Sequence, residues 1–387
     1  MRGHITEFGD PADRFLPGEV RRKFEYIACV TLARMGRNFL LTVVAACLIT
    51  ASSIVLYVRL NDATPHYLVD NKIKILDAIT HWENLIAELG PELAHDEMVR
   101  EAFTIPESQR HILTHAFGEA LYNAGDLGNI TYCAGGEFLF GCYHQFIGLA
   151  TIQFGSSIIH TLKDACETGH TPVNCAHGIG HGLLSTYGYS MNGVEKSLAE
   201  CHSFYDEKEE RGICADGIFM EYNLQEITTL EQNRIPRTFS SDRAPEPCFS
   251  IGREFRDECV YELPLWWHLA LSATSTVKDL STFPTMGNLC RAIPSSHEQK
   301  VCFIGIGFPG AQFSRFDAAS VSKACHLASE SETEYMLCAS GAAKRYVENG
   351  IENENVCAEL QLTGNGKLYC EKFKVLPRKD GYALDAS

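Results

Sequence analysis

Fourteen of the sixteen cysteines follow an apolar segment near the N-terminus, and they fall into seven close pairs. The pairs are Cys133/Cys142, Cys166/Cys175, Cys201/Cys214, Cys248/Cys259, Cys290/Cys302, Cys325/Cys338 and Cys357/Cys370, each enclosing eight to twelve residues. The second cysteines recur at intervals of 33, 39, 45, 43, 36 and 32 residues. Paired cysteines at this density point to an oxidising compartment. Structural zinc is the competing use, but no CxxC occurs in the chain, and zinc sites favour that spacing. Seven disulfides are therefore expected. Each would close a short loop and remove unfolded-state freedom worth about 2–3 kcal/mol.

The interval is that of helical repeats. Between the pairs, the chain reads as two short helices joined by a Gly- or Asn-bearing turn, such as Met191-Asn192-Gly193. The first cysteine of a pair ends one helix and the second opens the next. A short hairpin buries one face only by stacking on its neighbours. The fold class expected is thus all-α: an N-terminal transmembrane helix followed by a disulfide-stapled array of αα-hairpins, an open solenoid with a closed α/α toroid as the alternative. The signature residues of tetratricopeptide and ankyrin repeats are absent.

Phe39 to Val58 is uncharged over twenty residues, about 30 Å as a helix and enough to cross a bilayer. Five Lys/Arg stand in the eighteen residues before it and three in the eighteen after. That bias places the N-terminus in the cytoplasm and exports the rest to a periplasm, lumen or cell exterior. A cleaved signal peptide fits less well, because the stretch starts late and runs long. The expected organisation is a cytoplasmic segment (1–38), a signal anchor (39–58), a helical linker (59–110), the repeat domain (111–371) and a frayed tail (372–387). Within the linker, an amphipathic helix is expected from Leu68 to Leu89. Beyond the anchor the balance is 26 basic to 44 acidic residues, which disfavours nucleic acid as a partner.

Chemistry-bearing residues concentrate early in the array. His111/His115 and His177/His181 have the i, i+4 spacing that puts two imidazoles on one helix face, a two-ligand metal geometry. His115, His144, His177 and Asp216 occupy equivalent positions at successive helix starts, and later units place Tyr261, Ile304 and Ser340 there. Equivalent positions line one surface. Neighbouring helices are about 10 Å apart, so three stacked histidines reach one ion only if the array is tightly curved. A divalent metal such as zinc is the cofactor this set suggests, with Glu119 and Glu221 as a further ligand or general base. The structural alternative is that each histidine satisfies a loop carbonyl.

Other motifs carry less. His177-Gly178-Ile179-Gly180-His181-Gly182 reads as close helix packing or as exposed amides beside two histidines. Gly305 to Gly310 matches GxGxxG but follows no strand and contains Pro309, so it is set aside as a nucleotide motif. HExxH, GxSxG and a phosphate-binding P-loop are absent. Two adjacent tryptophans, Trp266 and Trp267, cannot both point into one helix-facing core, so one is expected to be exposed at a contact site; membrane-surface docking or a loop tucked over the array would read the same way. Asn233 to Pro247 reads as a surface loop, and Asn129-Ile130-Thr131 is a glycosylation sequon. Three functions follow: a binding or assembly module presenting the His/Asp face to a protein or small ligand, an exported metal-dependent hydrolase, and a metal-binding protein without turnover.

Overall fold

The computed structural model describes residues 65–70, 72–133, 141–167, 172–224, 237–272, 280–349, 351 and 353–384. Phe39–Val58 and the segment before it lie outside these residues. Among the described residues, no helix is long and apolar enough to cross a membrane. By backbone contacts, Pro65–Ser387 is a compact unit separate from Met1–Thr64.

Among its described residues, this unit is all-helical apart from one small hairpin. The helix expected from Leu68 starts later. Leu68–Val69 (β1) pairs antiparallel with Lys72–Ile73 (β2), and Asp70 turns between them with φ 52°. Asp tolerates that left-handed conformation, which suits a tight hairpin. Helix α1 then runs Ile75–Leu89 and buries Ala78, Ile79, Trp82 and Ile86, one amphipathic stripe. It is followed by α2 (Pro91–Ala102).

The repeat proper is a row of inner helices: α3 (Glu107–Asn123), α4 (Gly141–Phe154), α6 (Pro172–Tyr187), α8 (Lys208–Leu224), α9 (Arg256–Leu271), α11 (Ser296–Phe313), α13 (Glu332–Glu348) and α15 (Gly364–Phe373). Each packs on the next in chain order. Outer helices α5 (Ile159–Glu167), α7 (Met191–Phe204), α10 (Phe283–Arg291), α12 (Ala318–Ala328) and α14 (Val356–Glu359) lie between them in sequence. Among the described residues, side-chain caps start three of these helices. Ser190, Asp317 and Ser331 each accept from a first-turn N–H.

Six of the seven expected disulfides are formed among the described residues: Cys133–Cys142, Cys201–Cys214, Cys248–Cys259, Cys290–Cys302, Cys325–Cys338 and Cys357–Cys370. Their Cα separations run from 5.3 to 6.0 Å. Cys175 is also disulfide-bonded, while the side chain of its expected partner Cys166 lies outside the described residues. Each bridge ties an outer element or loop to the first or second turn of the next inner helix. Cys142, Cys175, Cys214, Cys259, Cys302, Cys338 and Cys370 are all buried there. The helix register is thereby pinned unit by unit, and the sulfurs are consumed as staples.

Glycines set the spacing of the inner row. A Cβ on Gly118 would overlap the carbonyl of Cys142; on Gly180, that of Cys214; on Gly341, that of Ile304. The run from Gly178 to Gly182 therefore serves close packing within α6, and its glycines are buried rather than presenting amides to solvent. Gly305–Gly310 likewise lies buried inside α11.

Two expectations are overturned. Trp266 and Trp267 are both buried, at 5% and 0% exposure, because α9 is enclosed on all sides. The Trp267 indole donates to the Ala244 carbonyl at 3.1 Å, and the Arg237 guanidinium covers Trp266 at 3.7 Å from the ring centre. The covering chain is the described part (237–247) of the segment read as a surface loop. The second correction concerns the C-terminus, which does not fray through 384. After α15 comes α16 (Arg378–Tyr382), with Gly381 and Tyr382 buried.

A histidine cluster on the inner face

Contacts between inner helices define their register. Gly118 meets the backbone of Cys142 as Gly180 meets that of Cys214, so Leu113, five residues before Gly118, takes the place of Cys175. His115, His144, His177 and Asp216 then share the position two residues beyond it. His111 lies one turn earlier and His181 one turn later. The positions six residues past the second cysteine follow on the same face. After Cys214, Cys259, Cys302 and Cys338 these are Met220, Leu265, Phe308 and Lys344. All four line a cavity of about 340 Å³ together with His111, His144, His177 and Asp216. The series stops at Cys370, because α15 ends at Phe373 and Leu376 lies beyond it. Among the described residues, no cysteine lines the cavity. Cys259, Cys302, Cys338 and Cys370 thus position the site without entering it, and they serve neither as ligands nor as nucleophiles.

Curvature brings the rings together. His144 lies 5.7 Å from both His111 and His115, 4.9 Å from His177 and 4.3 Å from His181, measured between ring centres. The 10 Å spacing of helix axes, about one helix diameter, does not keep the imidazoles apart, because side chains on a concave face converge. Nitrogens of His111, His115 and His144 lie within 4.8 Å of one another, as do those of His144, His177 and His181.

The orientation of the rings is set from behind. His181 Nδ1 lies 2.9 Å from Glu221 Oε2, and both groups are fully buried. His177 Nδ1 faces Asp216 Oδ2 at 3.5 Å. A carboxylate at Nδ1 fixes the proton there and turns the Nε2 lone pair forward. The two Nε2 atoms meet at 3.2 Å. In the other pair, His115 Nδ1 contacts Gln145 Oε1 at 3.1 Å, and Gln145 in turn donates to Glu119 Oε2 at 2.7 Å. His115 Nε2 and His111 Nε2 lie 3.1 Å apart. Two imidazoles bound to one zinc at about 2.05 Å and a tetrahedral angle have nitrogens about 3.3 Å apart, so both spacings suit chelation.

Burial favours the neutral form of two of the rings. Burial and then the neighbouring histidines push His144 well below the ordinary imidazole range. Burial also lowers His177, against the opposing pull of Asp216. Burial raises the Glu119 carboxyl to about 7, with the Gln145 hydrogen bond opposing. Burial would likewise raise Asp216, but Arg378 and His177 outweigh it and bring it to about 2.

Glu119 and Glu221 therefore stand behind the imidazoles as orienting groups, outside the lining of the cavity. Glu221 also accepts from Tyr189 at 2.6 Å. Asn129 of the sequon is buried, its amide 3.4 Å from the Leu121 carbonyl.

The residues missed in the sequence come from the other half of the array. Arg378 donates to Asp216 at 2.6 Å and clasps Glu348 through Nε at 2.8 Å and Nη2 at 3.0 Å. Its guanidinium lies over the Tyr261 ring at 4.4 Å. Lys379 pairs with Glu258 at 2.9 Å, and Lys344 donates to the Leu376 carbonyl at 2.7 Å. Pro377, Arg378, Lys379 and Tyr382 thus form one wall of the cavity. No local pattern in the last dozen residues announces this, but the inner-face register would have found Met220, Leu265, Phe308 and Lys344.

Comparison of this chain with protein-family models, with curated proteins and with solved structures gives no match.

Proposed function

We propose that this chain is an exported, membrane-anchored metalloprotein whose inner-face histidines hold a divalent transition metal. The observation that carries it is the pairing of His177 and His181. Both Nδ1 atoms are turned onto carboxylates, leaving two Nε2 atoms 3.2 Å apart beside His144. Two lone pairs facing each other in a buried site repel, and a cation between them removes the conflict. An all-nitrogen set of this kind suits zinc or copper.

The anchor is assigned to Phe39–Val58, and the disulfides of the helical unit support export. The architecture that goes with this reading is an open, strongly curved array, with a closed toroid as the alternative.

A catalytic use is favoured over storage by the cavity, which reaches His111, His144 and His177 from the side of Leu265 and Phe308. Bound metal would lower the pKa of a water and polarise an ester or amide group, the chemistry of a hydrolase. The protein's part would be orientation by Glu221 and Asp216 and exclusion of bulk water by Met220, Leu265 and Phe308. The rival reading, an open binding face for a partner, would be favoured by histidines spread along an exposed ridge. Here the rings converge, and His111, His144 and His177 line one cavity.

The test is metal content of the full chain, purified in detergent from an oxidising host without a metal-affinity step. Metal at one equivalent or more, reduced when His177→Ala and His181→Ala are combined, supports the reading and warrants a screen of ester and phosphoester hydrolysis. A folded, oxidised chain that takes up neither zinc nor copper overturns it.

A further inference from the structure

The five histidines form two groups of three, not one group of five, and His144 belongs to both. The register explains why. His115 and His177 are equivalent, but their partners lie in opposite directions along the helix: His111 one turn before, His181 one turn after. The two pairs consequently flank His144 at different heights on the inner face.

Each pair is independently built as a chelate. Nε2 spacings are 3.1 Å for His111/His115 and 3.2 Å for His177/His181. Each has its own anchor behind it, Gln145 backed by Glu119 in one and Glu221 in the other. A purely structural histidine pair has no need of a separate buried carboxylate aimed through a glutamine. Orienting hydrogen bonds of this kind are the usual companions of metal-bound imidazole.

We infer that the inner face holds two ions, one on His111 and His115 and one on His177 and His181, with the His144 ring completing both as a bridge. The inference rests on the metal reading above and adds a second site to it. A ring that ligates through both nitrogens does so as imidazolate, and its remaining N–H proton passes to solvent. No oxidant or reductant takes part.

The experiment counts zinc in the full chain and then counts unpaired spins after replacement by copper(II). Two zinc ions per chain are expected, falling to one when His111→Ala and His115→Ala are combined and to one in the His177→Ala, His181→Ala variant. A copper pair joined by imidazolate couples its spins. The copper-loaded wild type should therefore show less than half the signal its copper content predicts at low temperature. Each double variant, holding one copper, should show all of it.

One ion in the wild type overturns the second site and leaves the metal reading standing. Two ions with a full spin count overturn the bridge. No metal in a folded, oxidised chain overturns the inference and the metal reading together. Far-UV circular dichroism and free-thiol counts monitor folding. If a double variant misfolds, the wild-type zinc and spin counts still decide.

Discussion

Along the first half of the inner face the cavity is lined by the rings of His111, His144 and His177; along the second half Lys344, Arg345, Glu348 and Arg378 line it. Among the described residues, His111, His115, His144, His177 and His181 meet edge to edge and face to face with no cation of the protein between them. Across the cavity, Glu348, Lys344, Arg345 and the Arg378 guanidinium close on one another. Scaffold, staples and helix register are the same in both halves. What differs is how burial of polar atoms is offset. In the charged half, Arg378 supplies the counter-ion for Asp216 and Glu348. In the histidine half the rings meet one another, with Nε2 pairs 3.1 and 3.2 Å apart, and on the reading proposed above a cation would sit between them. Burial would raise the Glu348 carboxyl, yet Arg378 and Arg345 hold it well below the carboxylate range. Glu262, buried beside Asp216, is pushed well above that range.

If the halves differ in this way, zinc should act on one and leave the other unchanged. The largest effect expected is on stability. Free zinc 1,000-fold above its dissociation constant should stabilise the chelator-treated chain by about 4 kcal/mol, read by thermal melting with and without metal. His181→Ala should abolish the part of that gain that comes from the His177/His181 pair and leave the rest.

Next in size is the removal of Arg378. Arg378→Ala breaks a largely buried ion-pair cluster and should cost about 3 kcal/mol, the low end for such pairs, since its side chain is 23% exposed. Amide hydrogen exchange of residues 376–384 should accelerate while zinc content stays at the wild-type level. Loss of zinc in this variant would show that the two halves are one cooperative site.

A smaller effect is expected behind the rings. Glu221→Gln keeps the shape but not the charge at His181 Nδ1, and zinc affinity should fall about tenfold, measured by competition with a chromophoric chelator. Glu348→Gln should leave that affinity unchanged.

The smallest effect is with pH. Asp216 and Glu348 have depressed folded-state pKa values, so their contribution is present at neutral pH. It is lost as pH falls from about 4, the unfolded carboxyl value, toward the folded value of Asp216 at about 2. Exchange of residues 376–384 should quicken in that window in the wild type. In Arg378→Ala it should already be fast and change little.

How much of this was legible follows the range of the interactions. The staples, from Cys133–Cys142 to Cys357–Cys370, are local and repeating, and so are the hairpin period and the equivalence of His115, His144, His177 and Asp216. All are visible in the sequence. The i, i+4 pairs could be read as chelates for the same reason. What periodicity could not supply is curvature, which turns a row of rings about 10 Å apart by helix spacing into contacts of 4.3 to 5.7 Å. Nor could it supply the contact of Arg378 with Asp216, 162 residues away in the chain. Trp266 failed differently. The rule that two adjacent tryptophans cannot share one core face is sound for a helix with one buried side, but α9 is covered by 237–247 as well as by its neighbours.

The central claim is that imidazoles of the inner face are metal ligands, and X-ray absorption at the zinc edge of the zinc-loaded full chain tests it most directly. The account predicts a nitrogen shell at about 2.0–2.1 Å with strong outer-shell scattering from imidazole rings, diminished when His177→Ala and His181→Ala are combined. A shell of oxygen alone without imidazole scattering, unchanged in that variant, would place zinc elsewhere on the acidic surface and contradict it.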